Sequence, residues 1–161
     1  MQAEMDHAAQ RALELAYGYV NKRERTVAEV AAELQRAGID PLSAQAAIGE
    51  LAALGYLDDI RFAKLFAQDK RALEHWGAER IERGLVARGI ARELIAATLT
   101  ESQQETELER ALAVLARRFP QPRAGRRERE RALGFLLRKG YDGETALEAL
   151  RARGEISGEF P

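Results

Sequence analysis

In the stretch LGYLDDIRFAKLF, residues 54–66, two aspartates stand side by side between an aromatic turn and an apolar run. Paired carboxylates can share acid and base work across a cleft, or hold a divalent cation when further oxygen ligands come within reach. Either chemistry needs company. The histidines are His7 and His75, far apart and in no histidine–carboxylate cluster, and the serines Ser43, Ser102 and Ser157 have no base in a recognisable pattern. There is no GxxxxGK[ST] loop and no GxGxxG turn to cradle a phosphate. With no cysteine the chain has no thiolate ligand, thiol nucleophile or disulfide. The expectation is a protein that is not an enzyme, binds no metal or cofactor and turns over no nucleotide by itself. Asp58 and Asp59 then read as helix-start residues: a carboxylate there accepts orphan backbone N–H groups and faces the positive end of the helix dipole, together about 1 kcal/mol.

The elements that position these residues follow from length, charge and periodicity. A chain of 161 residues suits one ordinary domain or a short array of small units that share burial at their contacts. Its 25 basic and 26 acidic side chains nearly cancel, at -1, so any electrostatic function rests on local asymmetry. The opening MQAEMDHAAQRA lacks the apolar core of a signal peptide, and the longest apolar run, LAALGYL, falls well short of the roughly 20 residues that span a bilayer. Both point to a cytoplasmic protein with no membrane partner.

The chain repeats. LQRAGI at 34–39, LVARGI at 85–90 and LLRKGY at 136–141 place Gly38, Gly89 and Gly140 at a constant interval of 51 residues. Leu34, Leu85 and Leu136 share that register, as do Val30, Ile81 and Ala132 before them and Ile48, Leu99 and Leu150 after them. Each unit reads as three helices. The first helices carry apolar residues at helical spacing: Ala9, Ala12, Leu13, Ala16, Tyr17 and Val20; then Phe62, Leu65, Phe66 and Leu73; then Leu108, Ala111, Leu112, Leu115 and Phe119. The second helix of the first unit opens with TVAE, a capping box from Thr26 and Glu29. The three glycines end the second helices in the left-handed conformation, and Gly55 closes a third helix before Tyr56 and Leu57 pack across the joint. Asp40 followed by Pro41, and Asp142, open third helices. No stretch alternates with the period of a strand. The predicted fold is all-α, nine helices in three tandem helix-turn-helix-like repeats at 8–57, 58–101 and 102–153, with a frayed tail at 154–161.

The segments GYLDDIRFA at 55–63 and WGAERIERGLVARGI at 76–90 resemble the signature region of the RecX family of bacterial recombination regulators, and TVAEVAAEL and LLRKGY extend the likeness over most of the chain. The resemblance implies an elongated, curved array of three-helix repeats. It further implies a protein that binds the RecA recombinase filament on single-stranded DNA and modulates it, usually as an inhibitor. The partner follows only from the resemblance. Single-stranded DNA would be reached mainly through the filament, with weak direct contact to DNA beside it, and the chain would act as a monomer. Three units about as long as a twelve-residue helix would span roughly 55 Å, enough to touch more than one recombinase protomer.

Candidate contacts are basic. From Arg117 to Lys139 nine basic residues, Arg117, Arg118, Arg123, Arg126, Arg127, Arg129, Arg131, Arg138 and Lys139, stand against Glu128 and Glu130, a net of +7, whereas the preceding ESQQETELER carries -3. Arginine forks bind phosphates or acidic protein surfaces, and a cluster steers association in a salt-dependent way. Smaller groups are Lys22, Arg23 and Arg25 in NKRER, and Arg80, Arg83 and Arg88 in the second helix of the second unit. NKRER and PRAGRRERER both read as loops before a second helix, so equivalent loops would form one basic edge. Trp76, the only tryptophan, reads as a packing staple at a helix start. The alternative reading, a transcriptional regulator that reads DNA through its helix-turn-helix-like units, is disfavoured because the third helices are poor in the Arg, Lys, Asn and Gln that reach base edges.

Overall fold

The computed structural model describes residues 1–101, 105–122 and 125–154, apart from the side chain of Gln2. Arg123, Ser102, Ser157 and the tail from residue 155 onward lie outside the described residues. The described residues form nine α-helices and no strand: α1 Gln2–Val20, α2 Val27–Arg36, α3 Pro41–Ala53, α4 Asp59–Glu74, α5 Ala78–Ala87, α6 Arg92–Thr100, α7 Glu107–Arg118, α8 Arg126–Lys139 and α9 Gly143–Ala152. By packing the chain divides into two units, Met1–Leu65 with Leu85–Thr98, and Phe66–Gly84 with Leu99–Pro161.

In the first unit α1 packs on α3 and α2 around Ala12, Ala16, Val30, Leu34, Ala47, Leu51 and Leu57. In the second, α7 packs on α9 and α8 around Ala111, Leu115, Leu136, Tyr141 and Leu150. The positions in register recur in burial: Val30, Ile81 and Ala132, and Leu34, Leu85 and Leu136, are all buried. Gly38, Gly89 and Gly140 all have φ between 73° and 96°, the left-handed turn that ends each second helix. Asp40 accepts from the Ser43 amide at 2.9 Å and Asp142 from that of Thr145 at 3.0 Å, as their cap spacing predicts.

Two stripes differ from their sequence reading. Phe62 is buried as its spacing predicts, but Leu65 and Leu73 are 44% and 77% exposed, and α4 buries Ala63 and Ala67 in their place, two alanines allowing close packing that a count of large apolar residues misses. In α1, Ala9 and Tyr17 are exposed, and Tyr17 meets the Tyr56 ring edge-on at 5.3 Å. A third difference concerns Arg126, Arg127, Arg129 and Arg131. They lie in α8 rather than in a loop, because the helix opens at Gly125 and its first two turns are made of Arg and Glu, good helix formers joined by an Arg126–Glu130 pair at 2.9 Å.

The same polar joint is built twice. In the first unit buried Thr26 caps α2 by accepting from the Glu29 amide at 3.1 Å, while its hydroxyl donates to the Arg88 carbonyl at 2.6 Å. The next amide, of Val27, donates to the Asp59 carboxylate at 3.0 Å. In the second unit the positions 51 residues on repeat this with other groups. The Gly77 amide donates to the Lys139 carbonyl at 2.8 Å, and the Ala78 amide to the Glu107 carboxylate at 3.1 Å. Glu107 is itself held by Arg110 at 3.0 Å and faces Arg71 at 3.9 Å. Replacing a threonine hydroxyl by a backbone N–H brings two backbones together: a Cβ on Gly77 would stand 2.5 Å from the backbone of Gly140 and Tyr141. Only glycine fits there.

The aspartate pair is thereby resolved. Asp58 does what its position predicts, accepting from the Arg61 amide at 2.9 Å at the start of α4. Asp59 does not cap its own helix; its carboxylate reaches back to the first amide of α2, one of the N–H groups a helix cannot satisfy internally.

Candidate interaction surface

The basic residues fall into three settings. In the first unit, Lys22, Arg23 and Arg25 lie in the turn between α1 and α2. Arg23 donates to the Glu24 carbonyl at 3.0 Å and pairs with Glu29 at 3.2 Å, and the Arg25 guanidinium lies 3.8 Å over the Tyr19 ring. Arg23 therefore braces the start of α2 and Arg25 the end of α1, and exposed Lys22 extends from the same turn. Arg88, half-buried near the end of α5, supplies the carbonyl that holds Thr26.

The second setting is the α7–α8 corner of the second unit. Arg117 and Arg118 end α7, where cations meet the negative end of the helix dipole, and both are exposed. Arg126, Arg127 and Arg131 are exposed on the first two turns of α8. Arg127 and Arg131 form no ion pair among the described residues, and Arg129 is half-buried. A hollow of about 330 Å³ lies between the two helices, lined by Arg118, Phe119, Pro120, Gln121, Glu128 and Arg131. One carboxylate and two guanidinium groups border it, so its mouth is positive.

The third setting brings together residues far apart in sequence. The turn at 75–77 joins α4 to α5, and the Trp76 amide donates to the Lys70 carbonyl at 3.0 Å. Arg80 lies with its guanidinium 4.2 Å from the Trp76 ring centre and donates to the Arg138 carbonyl at 3.1 Å. Lys139 donates to the Glu74 carbonyl at 2.8 Å. Arg80 and Lys139 are thus anchored as well as charged, while Arg83 and Arg138 are exposed. Trp76 packs edge-on against Phe66 at 6.2 Å, in keeping with a packing role. Sequence reasoning passed over Lys70, whose ammonium lies 4.6 Å from the same indole, and gave Arg117 no link to this turn. Their signal is tertiary: only folding sets α4 and α7 beside the end of α8.

Electrostatics mark this turn. The Glu74 carboxyl is held below its ordinary range by its hydrogen bond from Lys70, with the charges of Arg80 and Lys139 adding to it. The His75 imidazole is pushed down by burial and by the charges of Arg117 and Lys139. His75 also has φ 56°, a left-handed conformation uncommon outside glycine. The third helices offer little to a DNA groove: α3 has no basic residue, α6 has Arg92 and α9 has Arg151. Among the described residues no group of three or more His, Asp or Glu converges as metal ligands would, and no helix is long and apolar enough to cross a membrane.

Comparison with known proteins adds to this geometry. The family models for RecX, second three-helix domain, and RecX, third three-helix domain, match residues 58–99 and 105–150. The chain is 32% identical over 133 residues to the regulatory protein RecX of Leptothrix cholodnii, covering 83% of each chain. It is 32% identical over 154 residues to that of Deinococcus radiodurans, covering 94% of this chain and 72% of the relative. With the regulatory protein RecX of Thermus thermophilus it shares 37% identity over 108 residues, covering 67% of this chain and 68% of the relative. The fold is that of the crystal structure of RecX from Lactobacillus salivarius, with a TM-score of 0.80 at 19% identity over 94% of this chain and 99% of that one. These relatives are named as regulators rather than enzymes, and this chain, all-helical and built of repeated three-helix domains, belongs to the RecX family of regulatory proteins.

Proposed function

We propose that the chain binds the RecA recombinase filament on single-stranded DNA and inhibits its ATPase and recombinase activities, acting in the cytoplasm as a monomer in DNA repair and the SOS response. The action is by occupancy, without catalysis. The observation that carries this reading is the exposed arginine face of α7 and α8, Arg117, Arg118, Arg126, Arg127 and Arg131, on a chain whose overall charge is -1. A nucleoprotein filament offers phosphates and acidic protein surface, the two partners that arginine forks recognise. Lys22, Arg23, Arg25, Arg80, Arg83, Arg88, Arg129, Arg138 and Lys139 are secondary contacts in this proposal.

Replacing Arg126, Arg127, Arg129 and Arg131 together with glutamate tests it. Arg126, Arg127 and Arg131 are exposed, where substitutions usually cost within about 0.5 kcal/mol each, and Arg129 is half-buried, so equal helicity is confirmed by circular dichroism before binding is compared. Association should slow, because the local field that steers encounter is reversed, and the salt dependence of binding should flatten. Fluorescence anisotropy on RecA-coated single strands, at low and high salt, reads both effects. Wild-type filament affinity in the quadruple variant would overturn this assignment of the binding face.

A further inference from the structure

Three cations are gathered at the α4–α5 turn, and Glu74 answers them. Lys70 and Arg80 lie 4.6 and 4.2 Å from the centre of the Trp76 ring, and Lys139 reaches the Glu74 carbonyl at 2.8 Å. The charge of Arg117 reaches the His75 ring from the end of α7. Glu74 is the acid at this place, and its carboxylate is taken by Lys70. Glu107, in the same joint, is engaged by the Ala78 amide and Arg110. The turn does not relax away from this charge. It is tied down by Trp76 to the Lys70 carbonyl, by Gly77 to the Lys139 carbonyl, and by the Tyr141 hydroxyl to the His75 carbonyl at 3.4 Å. Like charges held together on a fixed backbone repel at short range, and an anion seated among them removes that cost.

We propose that this turn is a phosphate-binding site, formed by Lys70 and Arg80 on the Trp76 ring and by Lys139 at the Glu74 carbonyl, with Glu74 as the internal anion that a ligand phosphate competes against. A compact group of guanidinium and ammonium donors suits a single multiply charged oxyanion, in contrast to the extended arginine face of α8. Lys70 is the exchangeable member, since its ammonium is held by a side chain alone, whereas Lys139 and Arg80 are anchored to backbone carbonyls. The phosphate is either a phosphodiester of a nucleic-acid strand or a free phosphate, and the two sources share this chemistry.

Trp76 is the only tryptophan in the chain and sits beneath two of the cations, so its emission reports the site directly. The full chain is titrated, at constant ionic strength, with inorganic phosphate, with a thymidine oligonucleotide, and with acetate. Saturable change with phosphate or the oligonucleotide, and none with acetate, is expected. The Lys70→Gln and Arg80→Gln variants should each bind about tenfold more weakly, the loss of one charge-assisted contact. Glu74→Gln should bind more tightly, a gain that a merely structural role for the turn does not produce. Saturation by the oligonucleotide at far lower concentration than phosphate assigns the site to a strand; saturation by phosphate alone assigns it to the free ion. Flat titrations with both, or equal affinities across wild type and the three variants, overturn the proposal. No recombinase is present, so the result is independent of the filament reading.

Discussion

Replacing Gly77 with alanine introduces one methyl group where two backbones meet. Its Cβ would stand 2.5 Å from the carbonyl carbon and oxygen of Gly140 and the amide nitrogen of Tyr141, and none of these atoms belongs to a side chain that can swing aside. Gly77 is not among the residues with positive φ, so alanine suits its local conformation and by itself would stabilise the chain by about 0.4–1 kcal/mol through the unfolded state. Against this stand overpacking, about 1–3 kcal/mol, and the hydrogen bonds that must lengthen when the backbones part. These are Gly77 to the Lys139 carbonyl at 2.8 Å and Glu79 to the Gly140 carbonyl at 3.0 Å, each about 0.5–1.5 kcal/mol. The net expectation is a loss of about 2–4 kcal/mol. Gly49 supplies the control. It lies exposed within α3 with nothing within 4 Å of a built Cβ, so Gly49→Ala should stabilise by about 0.5–1 kcal/mol, the ordinary helix preference. The same substitution at two glycines thus has opposite signs. Urea denaturation followed by circular dichroism measures both. Equal or greater stability for Gly77→Ala would refute the close approach of the two backbones and with it the second joint.

The aspartate pair separates by site of action: Asp58→Ala and Asp59→Ala should each cost about 1 kcal/mol, but hydrogen exchange should quicken at the start of α4 for Asp58→Ala and at the Val27 amide of α2 for Asp59→Ala. Protection at Val27 unchanged in the Asp59 variant would contradict the contact between the repeats. Burial pushes the Tyr141 phenol up to about 12, against about 10 for a free tyrosine. Its folded value lies above the unfolded one, so the stability it contributes is fully present below pH 10 and is lost as pH rises toward 12. Ultraviolet absorbance should show Tyr141 ionising last of the four tyrosines, behind Tyr56, whose phenol its hydrogen bond with Tyr17 also raises. Tyr141→Phe should remove that late step, and a late step that persists in the variant would place the buried phenol elsewhere.

What could be read from the sequence was local. Thr26 with Glu29, Asp40 with Pro41, and the glycine at each repeat are signals whose partners lie within a turn, so type and spacing alone specify them. The interval of 51 residues was legible because burial recurs at the same step. What escaped was contact between distant segments. Asp59 looks like a cap for its own helix, and nothing near it tells that its partner is 32 residues earlier. Gly77 looks like one more helix-start residue, yet its lack of a side chain is required by a corner more than 60 residues away. Leu65 and Leu73 stand out in a hydrophobic stripe, but Ala63 and Ala67 take the buried face. Of the site, the arginine run was legible from composition, although its helical state was not. The grouping of Lys70, Arg80 and Lys139 was hidden, because it draws single residues from three helices.

The central claim, a regulator that acts on the recombinase filament by occupying it, meets its most direct test in RecA's own ATPase. Purified chain is titrated into RecA hydrolysing ATP on single-stranded DNA, with the Arg126, Arg127, Arg129 and Arg131 to glutamate variant in parallel. The account predicts that wild type lowers the hydrolysis rate in a saturable manner, with no hydrolysis when RecA is left out, and that the variant needs much higher concentrations for the same effect. A rate that stays constant through filament-saturating concentrations of the wild-type chain would contradict it.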